Sequence, residues 1–248
     1  SGRRIDRQPP LARPLEPCFC GRERELALFQ ESLVALRQGR GDVLLLTGAP
    51  GVGRTRLLEE LRLAARLEGL AATLVGGHEV PHRPFGLVDV ALAGLRGDGA
   101  TPPDLPPGVS GRTDRVAADL AASLTVLLVD DAHLADAASR EVLLAVCQRI
   151  RERAPAGVIV LSVPEAPDAV VELAERLMER GLARLVRLRP LEPAAAGRMA
   201  ASMLGRSTLP APWTDAIAAM TGGVPPVVEG LAAAVVASGR LTPGMALP

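Results

Sequence analysis

Five stretches of the chain, 42–47, 71–76, 124–129, 157–162 and 185–188, are almost continuously apolar and short enough to be strands. Between them, apolar residues recur at helical spacing instead. After Gly21 the series Leu26, Leu28, Phe29, Leu33, Val34 and Leu36 follows the 3.6-residue period until Gly39 and Gly41 break it. Further helices are predicted to about residue 67, then over 87–95, 113–122, 137–153 and 170–180. The last three, 194–204, 213–220 and 227–237, have no strand between them. Strands without a polar alternation are buried on both faces, which implies a parallel sheet with helices on either side.

The turn after the first strand carries the chemistry. Residues 44–55 read Leu-Leu-Leu-Thr-Gly-Ala-Pro-Gly-Val-Gly-Arg-Thr, a strand ending in a glycine-rich turn, and a helix-forming segment starting at Arg56 follows. This is the setting of a phosphate-binding loop of the form G-x-x-x-x-G-K-S/T. Gly48, Gly51 and Gly53 permit backbone angles that turn successive N–H groups inward, and the following helix adds its positive end. The expected nucleotide-binding residues here are Gly48, Ala49, Pro50, Gly51, Val52, Gly53, Arg54, Thr55 and Arg56. Thr55 offers the hydroxyl that holds Mg2+ in such loops. Position 54 departs from the pattern: a planar guanidinium replaces the compact ammonium of lysine, keeping the charge but changing its geometry.

The third strand ends in Asp130-Asp131, at the end of a parallel sheet where ligands bind. Asp130 is the expected second Mg2+ residue, opposite Thr55, and Asp131 the catalytic carboxylate that orients attacking water. An acidic strand end also caps the next helix in many folds; pairing with the upstream loop favours the chemical reading. The fold class is therefore α/β, a P-loop NTPase parallel sheet with helices on both faces, followed by a small helical lid. The expected organisation is a flexible Arg- and Pro-rich lead-in over 1–17, the α/β core over 18–190, the lid over 191–240 and a tail over 241–248. A Gly-, Pro- and Asp-rich stretch, 96–111, is expected to be a mobile loop.

Composition narrows the possibilities. All 28 basic side chains are arginine, matched by 28 acidic ones, so the formal net charge of +0 lacks the basic footprint of a DNA-binding domain. Aromatic residues make up only 2%, too few for a base-stacking platform. Cys18, Cys20 and Cys147 lack zinc spacing and read as reduced thiols, consistent with a cytoplasmic protein. The apolar runs stop short of a membrane span, so no membrane role is expected. Pro81 and Pro84 exclude a helix that would bring His78 and His82 together as a metal pair.

The motifs together resemble the nucleotide-binding domain of STAND-class AAA+ ATPases, most closely large LuxR-type transcriptional regulators of actinobacteria. Phe19-Cys20-Gly21-Arg22-Glu23-Arg24-Glu25-Leu26 is similar to the family's opening F-V-G-R-E-x-E-L, whose backbone borders adenine there. Pro84-Phe85-Gly86, Val129-Asp130-Asp131-Ala132-His133-Leu134-Ala135-Asp136, Leu188-Arg189-Pro190-Leu191 and Thr221-Gly222-Gly223-Val224-Pro225 match further motifs in order. The resemblance adds Cys20, Gly21, Arg22 and Pro225 to the nucleotide contacts and implies ATP or ADP with Mg2+ as ligands. It also implies a place within a longer regulator, with other domains or self-association as partners and no DNA contact by this segment. Where the family carries an Arg that senses the terminal phosphate, this chain has Ser162-Val163-Pro164. Val163→Arg would restore a cation to this tripeptide only if that position faces the γ-phosphate. With two cations altered or missing, the expected function is a regulatory switch that binds nucleotide and hydrolyses it slowly or not at all. The alternatives are an active ATPase in which Arg54 suffices, and a degenerate scaffold that binds no nucleotide.

Overall fold

The computed structural model describes residues 14–78, 83–96, 107–122, 124–153, 156–165 and 172–238. The elements run α1 (Glu23–Arg37), β1 (Asp42–Gly48), α2 (Arg54–Leu67), β2 (Ala72–Gly76), α3 (Gly86–Leu95) and α4 (Gly108–Ala122). Next come β3 (Thr125–Asp130), a single 3-10 turn (Ala132–Leu134), α5 (Ala137–Arg153), β4 (Gly157–Pro164), α6 (Glu172–Glu179) and β5 (Arg184–Leu188). Three helices, α7 (Pro193–Met203), α8 (Ala211–Thr221) and α9 (Pro225–Ala237), follow. Most of the expected lead-in, His82, most of the 96–111 loop and the 241–248 tail lie outside the described residues.

All five apolar runs pair into one parallel sheet in the order β2-β3-β4-β1-β5. Successive side chains along a strand point to opposite faces, and here both faces are buried. Val43, Leu45, Leu127, Val129, Ile159, Leu161 and Val163 join side chains of α3, α4, α5 and α6 in one core. Their neighbours Leu44, Leu46, Val126, Leu128, Val158 and Val160 are equally buried, and α2 lies against β1, β2, β3 and β4. Helix α2 buries Leu57, Leu58, Leu61 and Ala65, which fixes its first turn at the end of β1. Truncating a fully buried leucine such as Leu127 to alanine would cost about 2–5 kcal/mol.

One element boundary differs from expectation by more than two residues. The predicted loop ran to residue 111, but α4 begins at Gly108. Gly108 and Gly111 read as helix breakers, yet Val109 packs on the core, Thr113 Oγ1 donates to the Val109 carbonyl at 2.8 Å, and Arg112 pairs with Asp89 at 3.0 Å. Tertiary anchoring overrides the local propensity.

The chain divides into two compact units. The first, 24–189, holds the whole sheet. The second combines α7, α8 and α9 with the N-terminal segment through Glu23. Leu191, Ala195, Ala196, Met199, Ala200, Ile217 and Val228 form its core, with Cys20 packed against them. Within it the N-terminal strand of chain is tied down by Leu15 N–H donating to Met203 O and Cys18 N–H to Ser202 Oγ, both at 2.9 Å. Residues 18–23, assigned by sequence to the 18–190 core, thus cluster with the C-terminal helices. Among the described residues no helix is long and apolar enough to cross a membrane.

Candidate functional site

The glycine-rich loop leaves β1 at Gly48, where there is no room for a side chain: an added Cβ would lie 2.8 Å from Val52 Cγ2 and 2.9 Å from the Leu188 carbonyl. Val52 is buried and anchors the loop, and its N–H reaches Ala49 O at 3.3 Å. Gly51 and Gly53 adopt φ of 81° and 95°, open at little cost only to glycine. Gly53 is the N-cap of α2, with no side chain to occupy the helix end and no acidic residue in the first turn. The backbone donors and dipole of α2 therefore stand open to an anion.

The acids come from β3, separated from β1 by β4. Asp130 is buried, with both carboxylate oxygens engaged. Thr55 Oγ1 donates to Asp130 Oδ2 at 2.6 Å, while Ser162 Oγ donates to Oδ1 at 2.5 Å. The Asp131 N–H also reaches Asp130 Oδ1 (2.9 Å) and Ser162 Oγ (3.3 Å). Asp131 itself sits in the left-handed region at φ 43°, ψ 49°, heading the 3-10 turn. That turn aims its carboxylate back across the loop. Arg54 Nη2 donates to Asp131 Oδ1 at 3.0 Å and Nη1 to the Gly48 carbonyl at 2.7 Å. His133 Nδ1 lies 3.9 Å from the same Asp131 oxygen. Burial holds the His133 imidazole below its usual range, with the Arg54 charge adding to the shift against the pull of Asp131 and Asp130.

The structure thus gathers Gly48, Ala49, Pro50, Gly51, Val52, Gly53, Arg54, Thr55, Asp130 and Asp131 at the C-terminal ends of the interior strands β1 and β3. The Arg56 side chain turns along its own helix to Glu60 (2.7 Å) and Glu59 (3.7 Å) rather than into the loop. Cys20, Gly21, Arg22 and Pro225 belong to the other unit. There Cys20 Sγ donates to Ala195 O at 3.3 Å, Arg22 is buried, and Pro225 opens α9 at its first turn. Gly223 at φ 70° lets its backbone cross Leu191, whose N–H donates to Gly223 O at 2.8 Å; a Cβ there would meet Leu191 O at 2.1 Å.

One position needs correction. Val163, where an added arginine would have to face a terminal phosphate, points into the sheet core with 1% of its surface exposed. Strand alternation gives the site-facing place to Ser162, whose hydroxyl fixes Asp130. Sequence reading weighed that tripeptide only for charge and so missed the hydroxyl. Asp136 was noted only within a motif, yet it accepts from Ser139 N–H (2.9 Å), Ser139 Oγ (2.6 Å) and Phe85 N–H (2.9 Å). Burial pushes its carboxyl up, but these donors together hold it below its ordinary value.

Chemically, the site offers a cluster of N–H donors at a helix start, one arginine, and a hydroxyl beside a buried carboxylate. Hard oxygen donors in that pairing suit a small divalent cation carrying phosphate and water. Among the described residues no group of three or more His, Cys, Asp or Glu side chains is placed to hold a metal alone.

No protein of curated function matches the chain. Solved structures do. The Aeropyrum pernix ORC1 protein in complex with DNA aligns over 90% of this chain and 61% of its own, at 18% identity and a TM-score of 0.62. AMPPCP-bound DnaA from Aquifex aeolicus aligns over 88% and 62%, at 15% identity and 0.56. Drosophila ORC bound to DNA aligns over 75% and 47%, at 15% identity and 0.57. The chain spans less than two thirds of each of these chains. At such identities the likeness concerns the fold alone, an α/β sheet of P-loop NTPase type. The family profile described as AAA ATPase domain matches residues 19–161, from the opening motif through the glycine-rich loop and paired acids into β4. Because that profile spans more than half of the sequence, the chain belongs to the AAA ATPase domain family.

Proposed function

We propose that this chain is a regulatory switch domain that binds ATP or ADP in the 48–55 loop and hydrolyses ATP slowly or not at all. It acts as one part of a longer, STAND-class regulator of LuxR type. The observation that carries the reading is the Thr55–Asp130 contact: at 2.6 Å it joins the last residue of the loop to the acid ending β3. The bound DnaA and the ADPNP–ADP complexes of the Aeropyrum pernix ORC2 protein are nucleotide-loaded relatives in fold. Mg2+ fits the donor set and would be held by Thr55 and Asp130, where it would neutralise phosphate charge. The loop N–H groups would bind the phosphates, and Arg54 would add positive charge beside them. Asp131 would orient water once free of Arg54. Partners are nucleotide and other parts of the longer regulator, including further copies. The even charge balance and scarce aromatics support no direct DNA contact by this segment.

The test is to denature the purified protein, identify released nucleotide by chromatography, and titrate the stripped protein with ATP and Mg2+. Adenine nucleotide should be recovered or rebound. Gly53→Val should abolish binding, because it places a β-branched side chain at φ 95° inside the phosphate cradle. ATP-analogue affinity within a few-fold of wild type in that variant would remove the loop as the site. Single-turnover hydrolysis separates the switch from an active ATPase.

A further inference from the structure

The pairing of Arg54 with Asp131 joins two groups to which nucleotide chemistry gives separate tasks. One is the loop cation that meets phosphate; the other is the acid that meets water. Here each occupies the other. Their side chains are 13% and 25% exposed, so both are largely withdrawn from solvent. The arginine is nevertheless incompletely served: its Nε is buried and has no hydrogen-bond partner among the described residues. His133 Nδ1 is likewise buried without a hydrogen bond among the described residues, 3.9 Å from the carboxylate oxygen that Arg54 holds. Two orphaned ring and guanidinium nitrogens therefore flank one ion pair. Buried polar atoms are nearly always satisfied, so such a pair of exceptions points to a second arrangement of the same side chains.

We propose that Asp131 is an internal stand-in for phosphate, holding the Arg54 guanidinium until a nucleotide phosphate displaces it. Occupation of the loop and release of the Asp131 carboxylate are then one event. This rests on the nucleotide-binding reading above and goes beyond it, since it makes Asp131 a competitor of the ligand. A phosphate group presents several oxygens to the guanidinium fork and serves the Nε donor that the single Asp131 oxygen leaves unmet. The displaced carboxylate has a waiting donor in His133, if that ring carries its proton on Nδ1. In the paired state Asp131 cannot orient water, so the acid is armed only when phosphate is present. The left-handed backbone of Asp131 fixes the direction of its side chain, while χ rotation suffices for the exchange.

Asp131→Asn tests this, because asparagine tolerates the left-handed region and keeps the turn. ADP is titrated calorimetrically into the stripped full chain in EDTA, so that no metal contributes. Loss of the charged competitor should tighten ADP about tenfold, more than an exposed pair would yield. In an Arg54→Gln background the same substitution should change affinity less than about twofold, since the partner is gone. An unchanged or weakened affinity in Asp131→Asn overturns the inference. So does a gain that persists beside Arg54→Gln, which would be long-range repulsion rather than pairing. A second readout is independent of nucleotide: peptide mapping after phenylglyoxal treatment should show Arg54 modified faster in Asp131→Asn than in wild type. Equal rates overturn the pairing. If wild type and Asp131→Asn both fail to bind ADP with or without Mg2+, the nucleotide-binding reading falls, and this inference with it.

Discussion

Gly77 is a small residue on which the geometry of the acidic strand end depends. It follows β2, and its N–H donates to the Asp130 carbonyl at 2.8 Å. A Cβ added there would stand 2.3 Å from the Asp131 carbonyl oxygen and 3.2 Å from its carbon, against the 3.4 Å at which ordinary contact begins. Backbone atoms cannot swing aside as a side-chain tip can. The parallel register Gly76↔Asp130 and the Gly77–Asp130 hydrogen bond hold both strands where the clash occurs. Relieving it therefore needs a backbone shift of about 1 Å, an overpacking cost of about 1–3 kcal/mol. Loss of the hydrogen bond adds about 1 kcal/mol, and the stiffer unfolded chain returns about 0.5 kcal/mol. Gly77→Ala should lose about 2 kcal/mol, read as a lower urea midpoint with unchanged slope, and about 4–8 °C in Tm. Gly230→Ala is the matched control. It lies exposed inside α9 with nothing within 4 Å of its added Cβ, so it should gain about 0.5–1 kcal/mol. A Gly77→Ala midpoint at or above wild type would refute the argument that backbone crowding sets this corner.

Arg54→Lys should raise ATP hydrolysis, because an ammonium has no fork to span Gly48 O and Asp131 at once and so frees the acid; hydrolysis at the no-enzyme background with ATP still bound would place the block elsewhere. Ser162→Ala should lower stability by about 1–3 kcal/mol by taking a donor from a buried carboxylate, and an unchanged denaturation midpoint would deny Ser162 that role. Iodoacetamide at pH 8 should label exposed Cys18 first. Cys20 should follow slowly, its thiol pushed up to about 11 by burial and by Cys18. Cys147, pushed up to about 12 by burial, should react only on unfolding, and early labelling of Cys147 in the native protein would contradict its burial.

Features written in consecutive residues were legible. The apolar runs gave all five strands, and the glycines at 48, 51 and 53 marked the turn, although only Gly51 and Gly53 take left-handed angles while Gly48 is needed for space. Thr55 and Asp130, 75 positions apart, were expected on opposite sides of a Mg2+ ion; the direct hydrogen bond between them was not. Contacts decided by strand order were not. Ser162 reaches Asp130 because β4 lies between β1 and β3, and no local pattern states that order. The same holds for Arg54 and Asp131: the substitution was visible, but not that the two sides would neutralise one another. Nor did the glycines of α4 reveal that Val109 is anchored to the core.

The position of β1 in the sheet also governs when the loop can take shape during synthesis. Its two neighbours are β4 and β5, which leave the ribosome more than a hundred residues after it. At translation rates of about 5–20 residues per second, β1 waits on the order of ten seconds with both edges unpaired. For that interval its Val43-Leu44-Leu45-Leu46 run is an open template for pairing with another nascent chain. Strands β4 and β5 therefore act as a late clasp. A chain interrupted before Arg184 would carry the complete 48–55 loop on a strand with one edge still bare, and would be expected to aggregate.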